Sequence, residues 1–519
     1  MEQLFRSYAR SLPWLLLIYL ALYFFELASF PLSIDEETAA FRSDPSVWIS
    51  QGRWGAYLIE LLVLPHPAIP VVAPAIFGLS CVLAFILIVD VSTGSQPVAP
   101  LQYLTFPVFC GYPTWYFISE FYSNLAGTGI ALTLSAAAVW ITQNGSAKSR
   151  THFAVPVAAL MAAISIGIYQ SFLFVVLAML FGVVLLQIIN GLRRDFWSDI
   201  AVGLVAIGVG VVIHLTVDKV TRLAFPKENM YFDSLWKIDQ LFSSPLSVLK
   251  RILGIIGNAY GIIGNDFGVS LWAAAIVVAL GLLALVRLSR GHSARQKLFL
   301  MLASVIVILS PFTLLIVTGG LLPYRSFVGV PFAVWLLATL ALNTGNCKQR
   351  IVSIVAVALL VFQTFVIANQ FQASHYFSSR KDLLLAGAIT DRIFSLQEFD
   401  ASKSYFLALY GNIPFRTTAF PQPKTSTIGR SFFEWDGGNA GRISLFLRLF
   451  GYPRLLPQTP EIENKVIRTL ARMPVFPAIG SVKIEDNVVL LRLGAEASWR
   501  NMQAIRRAEK LSISPRSSD

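Results

Sequence analysis

Long apolar runs are the feature that most constrains how this chain folds. A membrane-spanning helix needs about 20 mainly apolar residues, and runs near that length recur up to residue 371. Only 13% of the residues are charged, against about 25% in soluble globular proteins, so we exclude a soluble enzyme, a disordered chain and a nucleic-acid-binding domain. We predict a mainly α, polytopic helical bundle with eleven spans, at residues 12–31, 68–89, 100–118, 125–142, 153–168, 171–189, 200–217, 268–287, 298–318, 326–342 and 351–371.

The positions of Lys and Arg predict the orientation of the bundle. Basic residues collect in short loops on the cytoplasmic side of a membrane. Lys148 and Arg150 precede the apolar run 153–189, and Arg193 and Arg194 follow it, so the chain must cross twice between them. With eleven spans the N-terminus is cytoplasmic, and everything after the last span lies outside.

From about residue 375 the composition changes to that of a water-exposed domain, with 20 Lys and Arg and 13 Asp and Glu. We therefore divide the chain into a membrane bundle, 1–374, and a small extracytoplasmic α/β domain, 375–519. The segment 481–493 resembles a hairpin that turns at 485–487. The tail after Trp499 is predicted to be a frayed helix or disordered. Further patterns are helix-like at 380–397, 440–450 and 461–472, and strand-like at 404–410.

Three consecutive acids, Asp35, Glu36 and Glu37, follow the first span directly. One interpretation is structural, because Ser33 and Glu36 fit a capping box and acids favour a helix N-terminus. The other is functional, with Asp35 or Glu36 as a general base at the membrane surface, worth about 10²–10⁴ in rate. The two interpretations are compatible, because a capped helix start would hold the base in a fixed position.

The predicted outer loops include 32–66, 218–267 and 319–325, and three of their arginines are candidates to bind an anion. Arg53, beside Trp54, is compatible with binding lipid headgroups or with binding a phosphate through its guanidinium. Arg325 is the charged residue of a short turn between two spans and needs an anionic partner, and Arg222 follows the seventh span. Together they predict a cationic pocket opposite the acids. No His or Cys has ligand spacing, so we predict no metal and no cofactor.

A cationic pocket partly within the membrane and facing acids fits glycosyl transfer from a lipid-linked donor. Outside the bacterial inner membrane there are no nucleotide sugars, and donors arrive as polyprenyl-phosphate sugars. Such a donor needs cations for its phosphate and an apolar groove for its tail, and the acceptor hydroxyl needs a base. The expected partners are this donor, a glycan acceptor and membrane lipids.

Several short motifs resemble the O-antigen glucosyltransferase family of the GtrII type, which are GT-C-like membrane enzymes with an acidic pair after the first span. The resemblance covers most of the chain. The motifs are Ser33-Ile34-Asp35-Glu36-Glu37, Trp48, Gly52-Arg53-Trp54, Gly167-Ile168-Tyr169-Gln170-Ser171, Tyr324-Arg325-Ser326 and Phe433-Glu434-Trp435-Asp436-Gly437-Gly438.

The resemblance implies transfer of a glucosyl residue from a polyprenyl-phosphate donor to a surface glycan, such as the O-antigen of lipopolysaccharide, on the periplasmic side. Asp35 and Glu36 match the acidic pair, but the triplet leaves open which carboxylate is the base. Trp435 is compatible with a sugar-stacking platform or with domain core. In the expected reaction Arg53, Arg325 and Arg222 bind the donor phosphate, whereas Glu120, Tyr169 and Gln170 line the sugar or acceptor subsite.

Two other functions remain as alternatives. A transporter or flippase of lipid-linked sugars would often have paired repeats and charges near the bilayer midplane. Here the predicted spans are nearly free of charge and the polar residues gather on one face. A polymerase or ligase of surface glycans would share the lipid-phosphate chemistry, but we would not expect the acids after the first span or the terminal domain.

Overall fold

The structure is a computed structural model, and it divides the chain into two compact units. The membrane unit comprises Met1–Phe30, Ser43–Gln370 and Pro423–Ser426, and the C-terminal unit comprises Pro31–Arg42, Phe371–Gln422 and Thr427–Asp519. Lys148, Arg150 and Arg194, used above to orient the chain, lie outside the described residues. The described residues are 8–66, 69–94, 96, 98–147, 151–193, 196–226, 236–264, 267–343, 347–423, 426–452 and 454–513.

Apolar helices make up the membrane unit. Among the described residues, seven helices are long and apolar enough to cross a membrane: Val72–Thr93, Tyr122–Asn144, Phe172–Ile189, Trp197–Ala224, Trp272–Gly291, Ala294–Phe312 and Cys347–Phe394. Three further apolar helices are shorter: Leu12–Ala28, His152–Ile168 and Val330–Leu342. The other helices of this unit are Val47–Ser50, Trp54–Leu62, Pro100–Gly111, Pro113–Ser119, Ile238–Ser243, Pro245–Ala259 and Leu314–Val317. The mainly helical membrane fold is confirmed, and the count of eleven spans stays a prediction.

The predicted span 100–118 is broken in the structure. It consists of the helices Pro100–Gly111 and Pro113–Ser119, with Tyr112 between them at φ −55° and ψ 141°. A residue before proline is pushed out of the helical region by the proline ring, which accounts for the break at this position.

The predicted first outer loop, residues 32–66, contains helices. Its first helix, Glu36–Ala40, belongs to the C-terminal unit and begins after Asp35, which has a left-handed φ of 83° and makes no side-chain cap. The predicted capping box of Ser33 and Glu36 is therefore wrong. The helix starts too late for Ser33 to be its N-cap, and it is the backbone carbonyl of Ser33 that accepts the amide of Glu36, at 3.1 Å.

The described part of the C-terminal unit contains one four-stranded sheet of order β2-β1-β4-β3. Its strands are β1 Tyr405–Tyr410, β2 Leu455–Pro457, β3 Val482–Glu485 and β4 Val488–Arg492. β1 pairs in parallel with β2 and β4, whereas β3 and β4 form the predicted antiparallel hairpin. Asp486 in the turn has a φ of 55°, a conformation that aspartate tolerates better than most residues.

Apolar residues cover both faces of this sheet. In β1, Leu407 and Leu409 enter one buried cluster, and Ala408 enters a second cluster on the other face. This alternation follows from the two-residue period of a strand. The helices of the unit are Glu36–Ala40, the end of Cys347–Phe394, Ala440–Leu449, Pro460–Leu470 and Trp499–Ile513. The predicted tail is thus helical through Ile513, and its Ala504 is buried in the second cluster.

Candidate active site

The predicted site residues fall in both units, so each group is described by itself. In the membrane unit, Arg53 lies between the helices Val47–Ser50 and Trp54–Leu62. Its guanidinium lies 4.6 Å from the ring centre of Tyr169 and 5.7 Å from that of Trp48. Cation–π contacts of this kind help to hold a guanidinium in place.

The segment that carries Arg53 is fixed by its neighbour Trp54. The Trp54 indole N–H donates to Nδ1 of His214 at 3.1 Å. The ring also packs directly on the backbone of Gly167, where an added Cβ would lie only 2.4 Å from it. Any side chain at 167 would displace Trp54 and with it the adjacent Arg53.

We therefore expect Gly167→Ala to reduce the activity of the protein about tenfold and to destabilise the membrane unit by about 1–3 kcal/mol through overpacking. The matched control is Gly208→Ala, because an added Cβ there meets nothing within 4 Å. Activity and thermal unfolding of the two variants in detergent check this. Equal activity and equal thermal stability of the two variants would contradict the role of Trp54 in fixing the segment that carries Arg53.

Tyr169 and Gln170 join two loops of the site. The Tyr169 hydroxyl lies 3.3 Å from Oγ of Ser326 and donates to the carbonyl of Arg325 at 3.5 Å. The Gln170 amide donates to the carbonyl of Gln51 at 2.7 Å. This turn therefore connects the loop of Arg53 with the turn of Arg325.

Arg325 belongs to the short 3-10 turn Tyr324–Ser326. Its guanidinium lies 4.8 Å from the ring centre of Phe121, which directly follows the buried Glu120. The structure thus brings Arg53, Arg325, Tyr169 and Gln170 into one connected group and places the segment of Glu120 beside it.

Arg222 borders this group and forms an ion pair of its own. An added Cβ at Gly52 would lie 3.1 Å from both Nη2 of Arg222 and Nε2 of Gln170. Arg222 forms an ion pair with Asp218 at 3.0 Å. Sequence analysis missed Asp218, although a four-residue spacing on a helix is the usual signal of such a pair.

A buried carboxylate that contacts the same tryptophan as Arg53 was not predicted from the sequence. Glu60, on the helix Trp54–Leu62, is 5% exposed and accepts the indole N–H of Trp48 at 2.6 Å. This contact fixes the Trp48 ring against which Arg53 packs.

The acidic triplet lies in the C-terminal unit. The guanidinium of Arg442 pairs with two of its carboxylates and with Asp436, which is far from the triplet in the sequence. Arg442 contacts Oδ1 of Asp35 at 2.7 Å, Oε1 of Glu37 at 2.5 Å and Oδ2 of Asp436 at 2.9 Å. Arg442 comes from the first turn of the helix Ala440–Leu449, which is capped by the Asn439 side chain. Sequence analysis missed Arg442 and the role of Asp436, because no local pattern pairs residues this far apart.

The three acids differ in exposure. The side chain of Asp35 is 49% exposed, whereas Glu36 and Glu37 are fully buried. Burial raises the pKa of Glu37, and the neighbouring Arg442 opposes that rise. Of the triplet, Asp35 is therefore the carboxylate that is accessible from outside the protein.

Trp435, the predicted stacking platform, is half-buried and packs against the apolar cluster around β1. This contact favours the domain-core interpretation of Trp435. Within the described residues, no group of three or more His, Cys, Asp or Glu side chains is arranged to hold a metal ion.

A family comparison decides the class of this protein. The sequence model of the family described as "Glucosyl transferase GtrII" matches residues 24–342, more than half of the chain. The chain belongs to the GtrII glucosyltransferase family. The predicted resemblance is therefore confirmed, and the protein is a multi-pass membrane glycosyltransferase.

The matched region of this GtrII family member includes all eight predicted site residues, whereas Arg442 and Asp436 lie beyond it. Among solved structures, the crystal structure of ArnT from Cupriavidus metallidurans bound to undecaprenyl phosphate is similar at 11% identity, with a TM-score of 0.41. That match covers 88% of this chain and 91% of the other. No curated protein matches the chain.

Proposed function

We propose that the protein transfers a glucosyl or related hexosyl residue from a polyprenyl-phosphate sugar to a surface glycan such as lipopolysaccharide O-antigen. The observation that carries this proposal is that Tyr169 contacts both the guanidinium of Arg53 and the backbone turn that carries Arg325. Two arginines on adjoining loops of an apolar bundle suit the phosphate of a lipid donor, because a guanidinium binds phosphate oxygens through paired N–H groups. The proposed setting is the periplasmic side of a bacterial inner membrane, with a GT-C-like bundle and a cytoplasmic N-terminus.

In the proposed reaction the carboxylate of Asp35 takes the proton of an acceptor hydroxyl. The hydroxyl oxygen attacks the anomeric carbon with inversion, and the bond between that carbon and the phosphate oxygen breaks. Polyprenyl phosphate leaves with the bonding electron pair. Arg53, Arg325 and Arg222 stabilise the negative charge that develops on it, which is where fixed cations lower a barrier most.

Residues beside Arg53 and Arg325 supply the proposed contacts to the sugar and to the acceptor. Tyr169 and Gln170 border both cationic loops, and Glu120 lies next to the Phe121 ring under Arg325. We propose that these three side chains bind hydroxyls of the transferred sugar or of the acceptor. Glu36 is fully buried and therefore supports the fold of the acidic segment in this account.

Arg325→Ala is expected to raise the apparent donor KM about 10–100-fold, because a charge-assisted hydrogen bond to the phosphate contributes about 1.5–3 kcal/mol. Arg290→Ala, an exposed arginine in another short turn of the membrane unit, is the matched control. Initial rates against donor concentration measure the effect. An unchanged donor KM in Arg325→Ala would remove Arg325 from the phosphate site.

The proposed function is tested in cells by mass spectrometry of the surface glycan with and without the gene. We expect a gain of one hexose for each modified repeat when the protein is present. An identical glycan mass in both strains would contradict the proposal. The flippase alternative is separated by the transfer assay described at the end of the Discussion.

A further inference from the structure

The C-terminal unit contains a cavity that the proposed chemistry does not use. Its volume is about 340 Å³, and it lies among the starts of the helices Ala440–Leu449 and Pro460–Leu470 and the helix Trp499–Ile513. Pockets for small molecules begin at about 300 Å³. The cavity is therefore large enough for a short segment of a ligand chain.

Amides and hydroxyls line much of this cavity. Asn439 and Thr459 cap the two helix starts through their side-chain oxygens, and Gln503 is exposed at its edge. The side-chain oxygen of Gln458 is buried, and no group in the described part of the chain donates to it. Buried polar atoms are normally hydrogen-bonded, so this oxygen is suited to accept a ligand hydroxyl.

The charges around the cavity are already balanced. Nη2 of Arg507 lies 2.7 Å from Oε2 of Glu463. Nε of Arg500 donates to the carbonyl of Asp436 at 2.7 Å, and its Nη2 lies 3.7 Å from the carboxylate of the same residue. An anion would have to compete with both carboxylates for these guanidinium groups. A neutral ligand with many hydroxyls can instead use the remaining N–H donors and the carboxylate oxygens together.

An exposed aromatic ring lies beside the cavity. Trp499 is 53% exposed, and the guanidinium of Arg500 lies 4.7 Å from its ring centre. The Trp499 ring also contacts Gly437, the residue before Gly438 in the cavity wall. Tryptophan combines a large apolar face with a polar edge. The C–H face of a pyranose ring packs on such a surface while its hydroxyls bind the amides alongside.

We propose that this cavity, with Trp499 at its edge, binds a neutral, hydroxyl-rich segment of the polysaccharide acceptor. The proposal rests on the proposed function, because it assumes that the acceptor is a glycan. A chain of contacts links the cavity to the acidic triplet, since Arg500 contacts Asp436, Asp436 contacts Arg442, and Arg442 contacts Asp35. A glycan bound there is thus held by the network that positions the proposed base.

The test uses the full-length protein in lipid nanodiscs. The probe is lipid-free polysaccharide, released by mild acid from the lipopolysaccharide of the source bacterium lacking this gene. Gln503→Trp places a bulky ring at the cavity edge without disturbing the core, because Gln503 is exposed. Met502→Trp is the matched control, since Met502 is exposed on the same helix but does not line the cavity.

We expect Gln503→Trp to raise the apparent KM for the polysaccharide about tenfold while kcat and the donor KM stay unchanged, the signature of lost acceptor binding. Met502→Trp should behave as the wild type. Calorimetric titration without donor should show polysaccharide binding to the wild type and the control, and weaker binding to Gln503→Trp.

Equal acceptor KM and equal polysaccharide binding in the two variants would overturn the proposal. Tighter binding of inorganic phosphate than of polysaccharide, lost in Gln503→Trp, would overturn the neutral-ligand assignment. If the wild type transfers no sugar, the proposed function fails, and the donor-free titration still decides whether the cavity binds the polysaccharide.

Discussion

Asp35→Asn is expected to reduce sugar transfer by at least about 10²-fold while membrane expression stays normal, because the amide cannot accept the acceptor proton. The carboxamide has nearly the same shape as the carboxylate, and the side chain is half-exposed, so the fold of the segment should survive. Transfer from labelled polyprenyl-phosphate glucose in isolated membranes, normalised to protein amount, measures the loss.

The control for this prediction is Asp391→Asn, which removes an exposed carboxylate from the same C-terminal unit. It should leave transfer unchanged. Full activity of Asp35→Asn would remove Asp35 as the base. Full activity of both Asp35→Asn and Glu36→Gln would remove the acidic pair from the chemistry altogether.

The second large effect is expected for Arg442→Met. This substitution leaves the carboxylates of Asp35 and Glu37 without the cation that holds them, and leaves Asp436 with Arg500 alone. Glu37 is fully buried, and in the described chain nothing hydrogen-bonds its other oxygen, Oε2. Breaking a buried ion pair by removing one partner costs about 3–5 kcal/mol. We expect lower thermal stability and loss of transfer.

Arg442→Lys separates positioning from simple stability. Lysine retains the charge but lacks the planar fork that reaches three carboxylates at once. We expect it to restore much of the lost stability and little of the transfer rate. The control is Arg468→Met, an exposed arginine of the same unit, which should change neither property. Wild-type transfer in Arg442→Lys would contradict a positioning role for the fork.

The features predicted correctly from sequence are those set by local patterns. Apolar runs of spanning length gave the membrane helices, because a helix exposed to lipid must be apolar over its length. The hairpin at 485–487 follows from alternating strand residues around a turn, and the structure places β3 and β4 there. Pro113 is a local signal too, because a proline disfavours the helical conformation at the residue before it, and the structure breaks the predicted span at Tyr112.

The features missed depend on contacts between distant parts of the chain. Nothing near Asp35 indicates that Arg442 holds it, because that contact joins the starts of two helices that only the folded C-terminal unit brings together. The capping box failed because Ser33 and Glu36 have the right spacing in a helix that starts elsewhere. The ion pair of Asp218 with Arg222 could have been predicted from the sequence, because the two residues are one helical turn apart.

Purified protein in nanodiscs gives a direct assay of transfer from a polyprenyl-phosphate sugar. Polyprenyl-phosphate glucose labelled in the sugar is mixed with lipid-free polysaccharide, with Asp35→Asn protein as the control. We expect label to appear in the polysaccharide with the wild type and to stay on the lipid with the variant. Label that remains on the lipid with both proteins, or that crosses the bilayer of a proteoliposome without reaching the glycan, would contradict it.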